Sequence, residues 1–355
     1  MNADSELGSR IARLIAAQGP ISIAQFMTIA LHDPHNGYYA TRDPLRRDFV
    51  TAPEISPMFG ELIGLWCAQV WHDAGKPKPA RLVELGPGRG TLMRDALRAA
   101  RLMPEFLSAI DVVLVETSPV LAGAQRDTLT SCGVPLNWVR AVDALAQDRA
   151  QFTIANEFLD VLPVQQFVFT DKGWCERMVG LDSEGELMLA LAPAAAPVAV
   201  PPQRGGATIG AVYEVSPAAA AIVEDIARGL AKSGGAALFI DYGYAGRGFG
   251  DTLQAVGANQ FRDVLSAPGT VDMSAHVDFG AMARAAGAGG AKAYGPAGQG
   301  AFLESLGIRR HAGAVDPDGS TTTLDRLTGA DQMGTLFKAL AILPNAAPPP
   351  PGFEE

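Results

Sequence analysis

Short apolar runs alternate with amphipathic segments through the middle of the chain. The apolar runs have the length and composition of buried strands and lie at 81–85, 111–116, 136–141, 152–157 and 236–243. Segments with apolar residues at helical spacing separate them, at 92–103, 118–132 and 216–234. Regular alternation of this kind is typical of parallel sheets with right-handed crossovers. The pattern therefore predicts an α/β fold with a mostly parallel, doubly wound sheet.

Helical patterns also precede this region. The predicted helices lie at 5–17, 22–32 and 56–75. Ser22 is placed to cap the second of them. The intervening stretch 32–56 is rich in Pro, Gly, Asp and aromatic residues, and long loops of this kind are often functional. We expect an N-terminal helical segment with this loop at 1–76 and the main domain at 77–345.

Two further features interrupt or follow the alternation. Strand-like runs joined by short glycine turns at 164–202 predict an antiparallel β meander inserted after the fourth strand. A helix is expected at 276–287, with two late strands after residue 241. The proline-rich end, 346–355, resembles polyproline and is predicted to be a mobile tail.

Composition and charge narrow the class of protein. The formal net charge of −10 argues against a nucleic-acid partner, which would need clustered positive charge. Cys67, Cys132 and Cys175 are odd in number and far apart, which favours a reducing compartment and gives no metal spacing. No apolar run reaches the roughly 18 residues of a membrane helix, and the N-terminus resembles neither a signal nor a transit peptide. We expect a cytoplasmic protein with no metal and no membrane span.

The turn after the first strand reads ELGPGRG and carries an acid two residues before its first glycine. A dinucleotide fingerprint would need a third glycine where Thr91 stands, and no P-loop Gly-Lys-Ser/Thr follows. Glu84, Gly86, Pro87 and Gly88 instead suit a ligand that has no phosphates and carries an amino acid at its charged end. S-adenosylmethionine is such a ligand: Glu84 can face its cationic methionine part, and the glycines let the main chain pass close beneath it.

Polar residues also stand at the ends of the next three strands. Glu116, followed by Thr117 and Ser118, can accept both ribose hydroxyls of a nucleoside. Asp143, after the third strand, could accept a hydrogen bond from the adenine amino group, and Asn156 ends the fourth. Ligands of such sheets bind outside the carboxyl ends of the strands. We therefore predict that these residues, with the glycine turn, form a site for the methyl donor.

Longer motifs resemble a known family. They are DFVTAPEISPMFGELIG, ELGPGRGTLM, VETSP, ANEFLDVLPVQQF, DYGYAGRG, GDTLQAV and SAHVDFGAM, spread over roughly residues 19–308. They are similar to those of the MidA-like methyltransferases, whose mitochondrial members assist assembly of respiratory complex I. The resemblance implies a class I, Rossmann-like fold and S-adenosylmethionine as donor. It also implies an arginine acceptor on a protein, a complex I subunit in the mitochondrial branch, and a flap loop in which Thr51 and Glu54 touch the methionine end of the donor.

An arginine acceptor requires acids, because the guanidinium has a pKa above about 12 and is a poor nucleophile. Glu157 and Asp160 lie three residues apart after the fourth strand, where arginine methyltransferases in general carry an acidic loop. On one helical turn they would face the same side, although the second acid is an aspartate where the usual pair is two glutamates. His276 is predicted to hydrogen-bond an active-site acid or to assist proton removal. Asp241 is a candidate for the acceptor side.

Other functions stay open on the sequence. A small-molecule methyltransferase would use the same donor site, and a non-catalytic assembly factor could bind S-adenosylmethionine without turning it over. A nicotinamide-dependent oxidoreductase is disfavoured by the glycine spacing. The expected partner is a protein substrate that carries an arginine, and a homodimer is left open.

Overall fold

Two units, each made of three chain segments, divide the chain. The sheet unit comprises Val50–Leu159, Ala220–Ala245 and Phe279–Glu355. The accessory unit comprises Met1–Phe49, Asp160–Ala219 and Gly246–Asp278.

The structure is a computed structural model that describes residues 5–41, 51–196, 206–246, 248–315 and 320–353. Parts of three predicted features lie outside these ranges, namely residues 42–50 of the flap, 197–202 of the insert and 354–355 of the tail.

The helices of the described residues are α1 (Glu6–Gln18), α2 (Ile23–His32), α3 (Tyr38–Thr41), α4 (Ala52–Ile55), α5 (Pro57–Asp73), α6 (Thr91–Ala100), α7 (Pro104–Ala109), α8 (Pro119–Leu129), α9 (Pro217–Ser233), α10 (Phe279–Ala288), α11 (Gln299–Ser305), α12 (Ile308–Val315), α13 (Ser320–Thr328) and α14 (Met333–Leu336). The strands are β1 (Ile21–Ser22), β2 (Ala80–Leu85), β3 (Ile110–Val115), β4 (Leu136–Val139), β5 (Ala150–Asn156), β6 (Gln165–Thr170), β7 (Gly173–Leu181), β8 (Leu187–Ala195), β9 (Val212–Val215), β10 (Gly235–Tyr244), β11 (Gln254–Gly257), β12 (Gln260–Arg262), β13 (Asp272–Ser274), β14 (Val277–Asp278), β15 (Ala291–Gly298) and β16 (Phe337–Pro344).

A mixed sheet with the strand order β15-β16-β10-β5-β2-β3-β4 forms the centre of the sheet unit. Strands β10, β5, β2, β3 and β4 are parallel to one another, and β16 pairs antiparallel with β10 and β15. The five strands predicted from apolar runs are present, each within two residues of its predicted ends. The predicted α/β fold is confirmed. Because the parallel strands share one direction, the predicted donor-site residues follow strands that end at one edge of the sheet.

Helix α5 belongs to the sheet unit, so the predicted boundary at residue 76 is wrong. Gly60 and Gly64 bring α5 against α6: a Cβ on Gly64 would lie 2.4 Å from the carbonyl oxygen of Ala96. Trp66 and Trp71 of α5 are buried in the same core as the inner residues of the sheet. The residues at 76–79 indicate a domain boundary in the sequence. The helix before them nevertheless belongs to the sheet unit, because its buried side chains pack in the core of that unit.

The accessory unit has its own core and two small sheets. One has the order β1-β7-β6-β9 with β8 on β7, and the other has the order β12-β11-β13. Strands β6, β7 and β8 pair antiparallel in sequence within the range of the predicted insert. Ser22 caps α2, as predicted, through a reciprocal capping box with Gln25. The sequence predicted two strands after residue 241, whereas the described residues there include β11 to β16; the additional short strands were missed because runs of two to four residues give too little periodicity.

The end of the chain is packed against the sheet unit, which corrects the expectation of a mobile tail. The indole nitrogen of Trp66 donates to the carbonyl oxygen of Pro351 at 3.0 Å. The phenol of Tyr294 donates to the carbonyl oxygen of Ala347 at 2.9 Å, and the Phe353 ring lies 5.2 Å from that of Phe302. Proline content indicated an extended chain, but an extended chain can still dock on apolar surface.

Candidate active site

The glycine turn between β2 and α6 has the backbone that its glycines permit. Gly86, Gly88 and Gly90 have φ angles of +60°, +53° and +82°, which L side chains rarely adopt. A Cβ on Gly86 would lie 2.9 Å from Cδ2 of Phe158, in the loop after β5. Pro87 between them is buried, and its carbonyl oxygen accepts from the Gly90 N–H at 2.7 Å. The turn therefore presents bare main chain at the sheet edge.

Glu84, the acid of the motif, is a buried carboxyl near the end of β2. Its side chain is 3 % exposed, and no hydrogen-bond partner reaches Oε2 among the described residues. Burial raises the pKa of Glu84 to about 8, and the negative charge of Glu116 adds to the rise. A buried carboxyl that lacks a partner favours a cation beside it, because the cation would compensate the cost of ionisation.

Glu116 follows β3 and is held at both carboxylate oxygens. Oε1 accepts from the backbone N–H of Ser118 at 2.7 Å, and Oε2 accepts from the Gln125 side chain at 3.0 Å. Burial raises the pKa of Glu116, while hydrogen bonds from Ser118, Gln125 and the exposed Thr117 oppose the rise. Ser118 also caps α8. These two hydrogen bonds fix the orientation of the carboxylate.

Gln125 is a residue of this site that sequence reasoning missed. It lies on α8 and is fully buried. The sequence does contain a pattern that indicates this residue. The buried face of α8 consists of Leu121, Ala122, Gln125 and Leu129, and Gln125 is the polar residue among them. A polar residue on an apolar helix face needs a partner, and its partners here lie on the glycine turn and on Glu116.

Glu157 follows β5 in a left-handed conformation, with φ of +50°. Its N–H donates to the Ile240 carbonyl at 2.9 Å. Its Oε1 accepts from the N–H of Ala52 at 3.2 Å and from the Asn156 amide at 3.1 Å. The prediction that Glu157 and Asp160 share one helical turn is wrong, because a left-handed residue does not continue a right-handed helix.

Asp241 holds the loop that carries Glu157. Its Oδ2 accepts from the N–H groups of Phe158 and Leu159 at 3.2 and 2.9 Å, and Oδ1 accepts from that of Tyr242 at 2.9 Å. The residue is 1 % exposed. The sequence had suggested it as a candidate for the acceptor side; in the structure it supports the backbone of the neighbouring loop.

The described part of the flap contacts the site through two residues. Thr51 is the N-cap residue that precedes α4, and the N–H of Ala52 donates to Glu157 as stated above. The hydroxyl of Thr91, at the start of α6, donates to Oε1 of Glu54 at 2.6 Å. The segment 51–54 therefore joins the glycine turn to the acidic loop.

The remaining predicted residues are Asp143, Asp160 and His276. Asp143 is exposed, in a short 3₁₀ helix at Val142–Ala144 after β4. Asp160 and His276 belong to the accessory unit. Asp160 is buried, and its carbonyl accepts from Ala275, while the half-buried His276 donates its backbone N–H to the Thr252 hydroxyl.

Comparison with known proteins agrees with this geometry. A family model of S-adenosyl-L-methionine-dependent methyltransferases matches residues 62–297. The chain belongs to this methyltransferase family. Its donor is S-adenosylmethionine, as the sequence predicted. A crystal structure of a Burkholderia thailandensis protein bound to S-adenosyl-homocysteine superposes with a TM-score of 0.83 at 28 % identity, covering 100 % of this chain and 94 % of that one.

Curated relatives of this methyltransferase carry a more specific name. The mouse protein arginine methyltransferase NDUFAF7, mitochondrial, is 37 % identical over 93 % of this chain and 83 % of its own length. The human protein of the same name is 36 % identical over 93 % and 82 %. Because these relatives are named as mitochondrial, they contradict the cytoplasmic location that the sequence had suggested.

The residues of the methyltransferase fit its donor. The buried Oε2 of Glu84 has no partner among the described residues and is compatible with the cationic end of the donor, and the carboxylate of Glu116 is compatible with its hydroxyl groups. Within the described ranges every helix is too short or too polar to traverse a bilayer. The same ranges contain no group of three or more His, Cys, Asp or Glu arranged to hold a metal ion.

Proposed function

We propose that this methyltransferase modifies an arginine of a protein substrate and that Glu157 binds the guanidinium. The observation that carries the proposal is the setting of Glu157: its backbone is fixed in the left-handed region and Oε1 is held by two hydrogen bonds. The names of the mouse and human relatives support the same acceptor. By the family resemblance, we extend the proposal to a respiratory complex I subunit as the protein that carries the arginine.

The chemistry explains why a fixed acid is needed. S-adenosylmethionine, when bound, supplies an electrophilic methyl carbon on its sulfonium. A guanidinium nitrogen is a weak nucleophile because its lone pair is delocalised. A carboxylate orients the planar fork and holds positive charge on the nitrogens that do not react. We assign this role to Glu157. A second acid at Asp160 and assistance in proton removal by His276 stay predictions.

The donor would be held at the edge of the sheet. We assign Glu84 to the cationic methionine end, Gly86, Pro87 and Gly88 to the close approach of main chain, and Glu116 with Thr117 and Ser118 to the ribose. The assignments of Thr51, Glu54, Asp143 and Asn156 to the donor stay proposals of the same kind. The strand order of the central sheet supports a class I methyltransferase arrangement, and the pairing of β6, β7 and β8 supports an inserted meander.

The test is transfer of labelled methyl groups from S-adenosylmethionine to proteins of a lysate, followed by mass spectrometry of the labelled residue. We expect label on arginine. Replacement Glu157→Gln should lower transfer by about 100-fold or more, while calorimetry with S-adenosyl-homocysteine should show donor affinity changed by no more than a few fold.

The matched control is Glu184→Gln, the same change at an exposed turn of the accessory unit. It should leave both transfer and donor affinity unchanged. If the label were found only on small metabolites, the acceptor would be a small molecule and not a protein. Full transfer by Glu157→Gln would remove this residue from the acceptor site.

A further inference from the structure

The side chain of Gln125 connects two parts of the donor site that are distant in sequence. Its Nε2 donates to the carbonyl oxygen of Gly88 at 2.8 Å and to Oε2 of Glu116 at 3.0 Å. Its Oε1 accepts from the indole N–H of Trp138 at 2.9 Å. Both N–H donors and the carbonyl oxygen of the amide are therefore used, inside a helix face that is otherwise apolar.

The direction of the amide is fixed by its partners. Trp138 can only donate, so it must face the amide oxygen, and this leaves both amide hydrogens for the two acceptors. The reversed amide would place its oxygen against a carbonyl and a carboxylate. The guanidinium of Arg126 lies 4.7 Å from the centre of the Trp138 ring and stacks on the donor of this arrangement.

We propose that Gln125 is a positioning residue of the methyltransferase: by bridging the Gly88 carbonyl and the Glu116 carboxylate, its amide sets the separation of the glycine turn and the ribose-binding acid. This inference rests on the roles proposed above for Gly88 and Glu116. The methionine and ribose ends of one donor molecule are joined through its sulfonium, so their two binding elements must keep a spacing that both ends can reach. The amide also supplies a hydrogen bond that favours the ionised form of Glu116.

The experiment measures binding of S-adenosyl-homocysteine by calorimetry, with no acceptor present. Gln125→Met has similar length and no hydrogen-bonding amide, and we expect it to weaken binding by 10-fold to 100-fold. In a Glu116→Gln background the same change should weaken binding by less than about 3-fold, because a residue that acts through Glu116 gives non-additive effects in a double-mutant cycle.

A second variant gives a pH readout that a purely structural role would not produce. Gln125→Glu places a second carboxyl against Glu116, so binding should be weakest at pH 8 and should recover toward pH 5, where the added group can be protonated and donate again. Gln69→Glu, the same change on the exposed face of α5, is the matched control and should leave the pH profile unaltered.

Folded Gln125→Met protein that binds within 2-fold of the wild type would overturn the inference, as would additive effects in the cycle. Because acceptor methylation is not measured, these outcomes are separate from failure of the proposed arginine substrate. Loss of arginine labelling with an intact cycle would leave the role of Gln125 standing.

Discussion

At the scale of single residues, Glu84 is a buried carboxyl whose surroundings disfavour its ionised form. Its carboxyl has almost no contact with water, and Oε2 has no partner among the described residues. The folded protein therefore retains a proton on Glu84 up to a pH of about 8. The unfolded chain would release that proton near pH 4.5. Burial of Glu84 therefore lowers the stability of the folded protein at alkaline pH.

The sign of the pH dependence follows from these two values. Between pH 4.5 and 8 the folded state binds more protons than the unfolded state, so the free energy of unfolding falls as pH rises through this window. Glu84→Gln removes the ionisation. We expect the variant to gain on the order of 2–5 kcal/mol relative to wild type at pH 9 and clearly less at pH 5. Urea unfolding of both proteins, without donor, checks this. An equal difference at both pH values would contradict a raised pKa.

At the scale of elements, the loop after β5 depends on a residue of a neighbouring strand. Asp241, near the end of β10, accepts from two backbone N–H groups of the loop, and the Ile240 carbonyl accepts from a third. These hydrogen bonds stabilise the left-handed backbone conformation of Glu157, which would be unfavourable without them.

Removal of this support should affect transfer more than donor binding. Asp241→Ala leaves buried N–H groups without their acceptor, and we expect methyl transfer to fall by about 100-fold, since small displacements of a reacting group cost that much. Affinity for S-adenosyl-homocysteine should change by only a few fold. Asp171→Ala, at an exposed turn between β6 and β7, serves as the control. Equal loss of binding and transfer would mean that the whole site has collapsed.

The contact of α5 with α6 depends on small residues. Gly64→Ala would bring a methyl group 2.4 Å from a backbone carbonyl oxygen, so we expect the free energy of unfolding to fall by about 1–3 kcal/mol. A Cβ on Gly123 in α8 would have no neighbouring atom within 4 Å. Gly123→Ala should therefore raise the free energy of unfolding by up to about 1 kcal/mol, because alanine has a higher helix propensity than glycine. Urea titration of the two variants measures the difference. We expect the free energy of unfolding to fall for Gly64→Ala and to rise for Gly123→Ala. Equal changes in the two variants would argue against close packing of α5 on α6.

At the scale of the whole molecule, each unit is assembled from distant parts of the chain. The end of the chain returns to the sheet unit through Pro351, 285 residues from its partner Trp66. Phe353→Ala should therefore lower the free energy of unfolding by about 1–3 kcal/mol. Phe261→Ala, at a side chain 77 % exposed, should stay within about 0.5 kcal/mol. If thermal unfolding showed no effect of the Phe353 change, the tail would be mobile after all.

The sequence predicted features that depend on short stretches of chain. The central strands, the Ser22 cap and the ELGPGRG turn each depend on periodicity or turn chemistry within a few residues, and the structure has them where they were expected. The glycine turn and the acids after the strands led to the methyl donor, the family resemblance implied the same donor, and the family match confirms it. The single helical turn predicted for Glu157 and Asp160 is wrong, because long-range hydrogen bonds hold the loop after β5 in another conformation.

What the sequence alone determined is the α/β fold, the methyltransferase family and the donor, because local patterns and motifs carry that information. Only the tertiary structure decided which groups support the site. Gln125 is 37 residues from the Gly88 carbonyl it binds, and Asp241 is 82 residues from Leu159. Such hydrogen bonds form only when buried polar groups from distant segments must satisfy one another in the folded core, and no local pattern specifies that pairing.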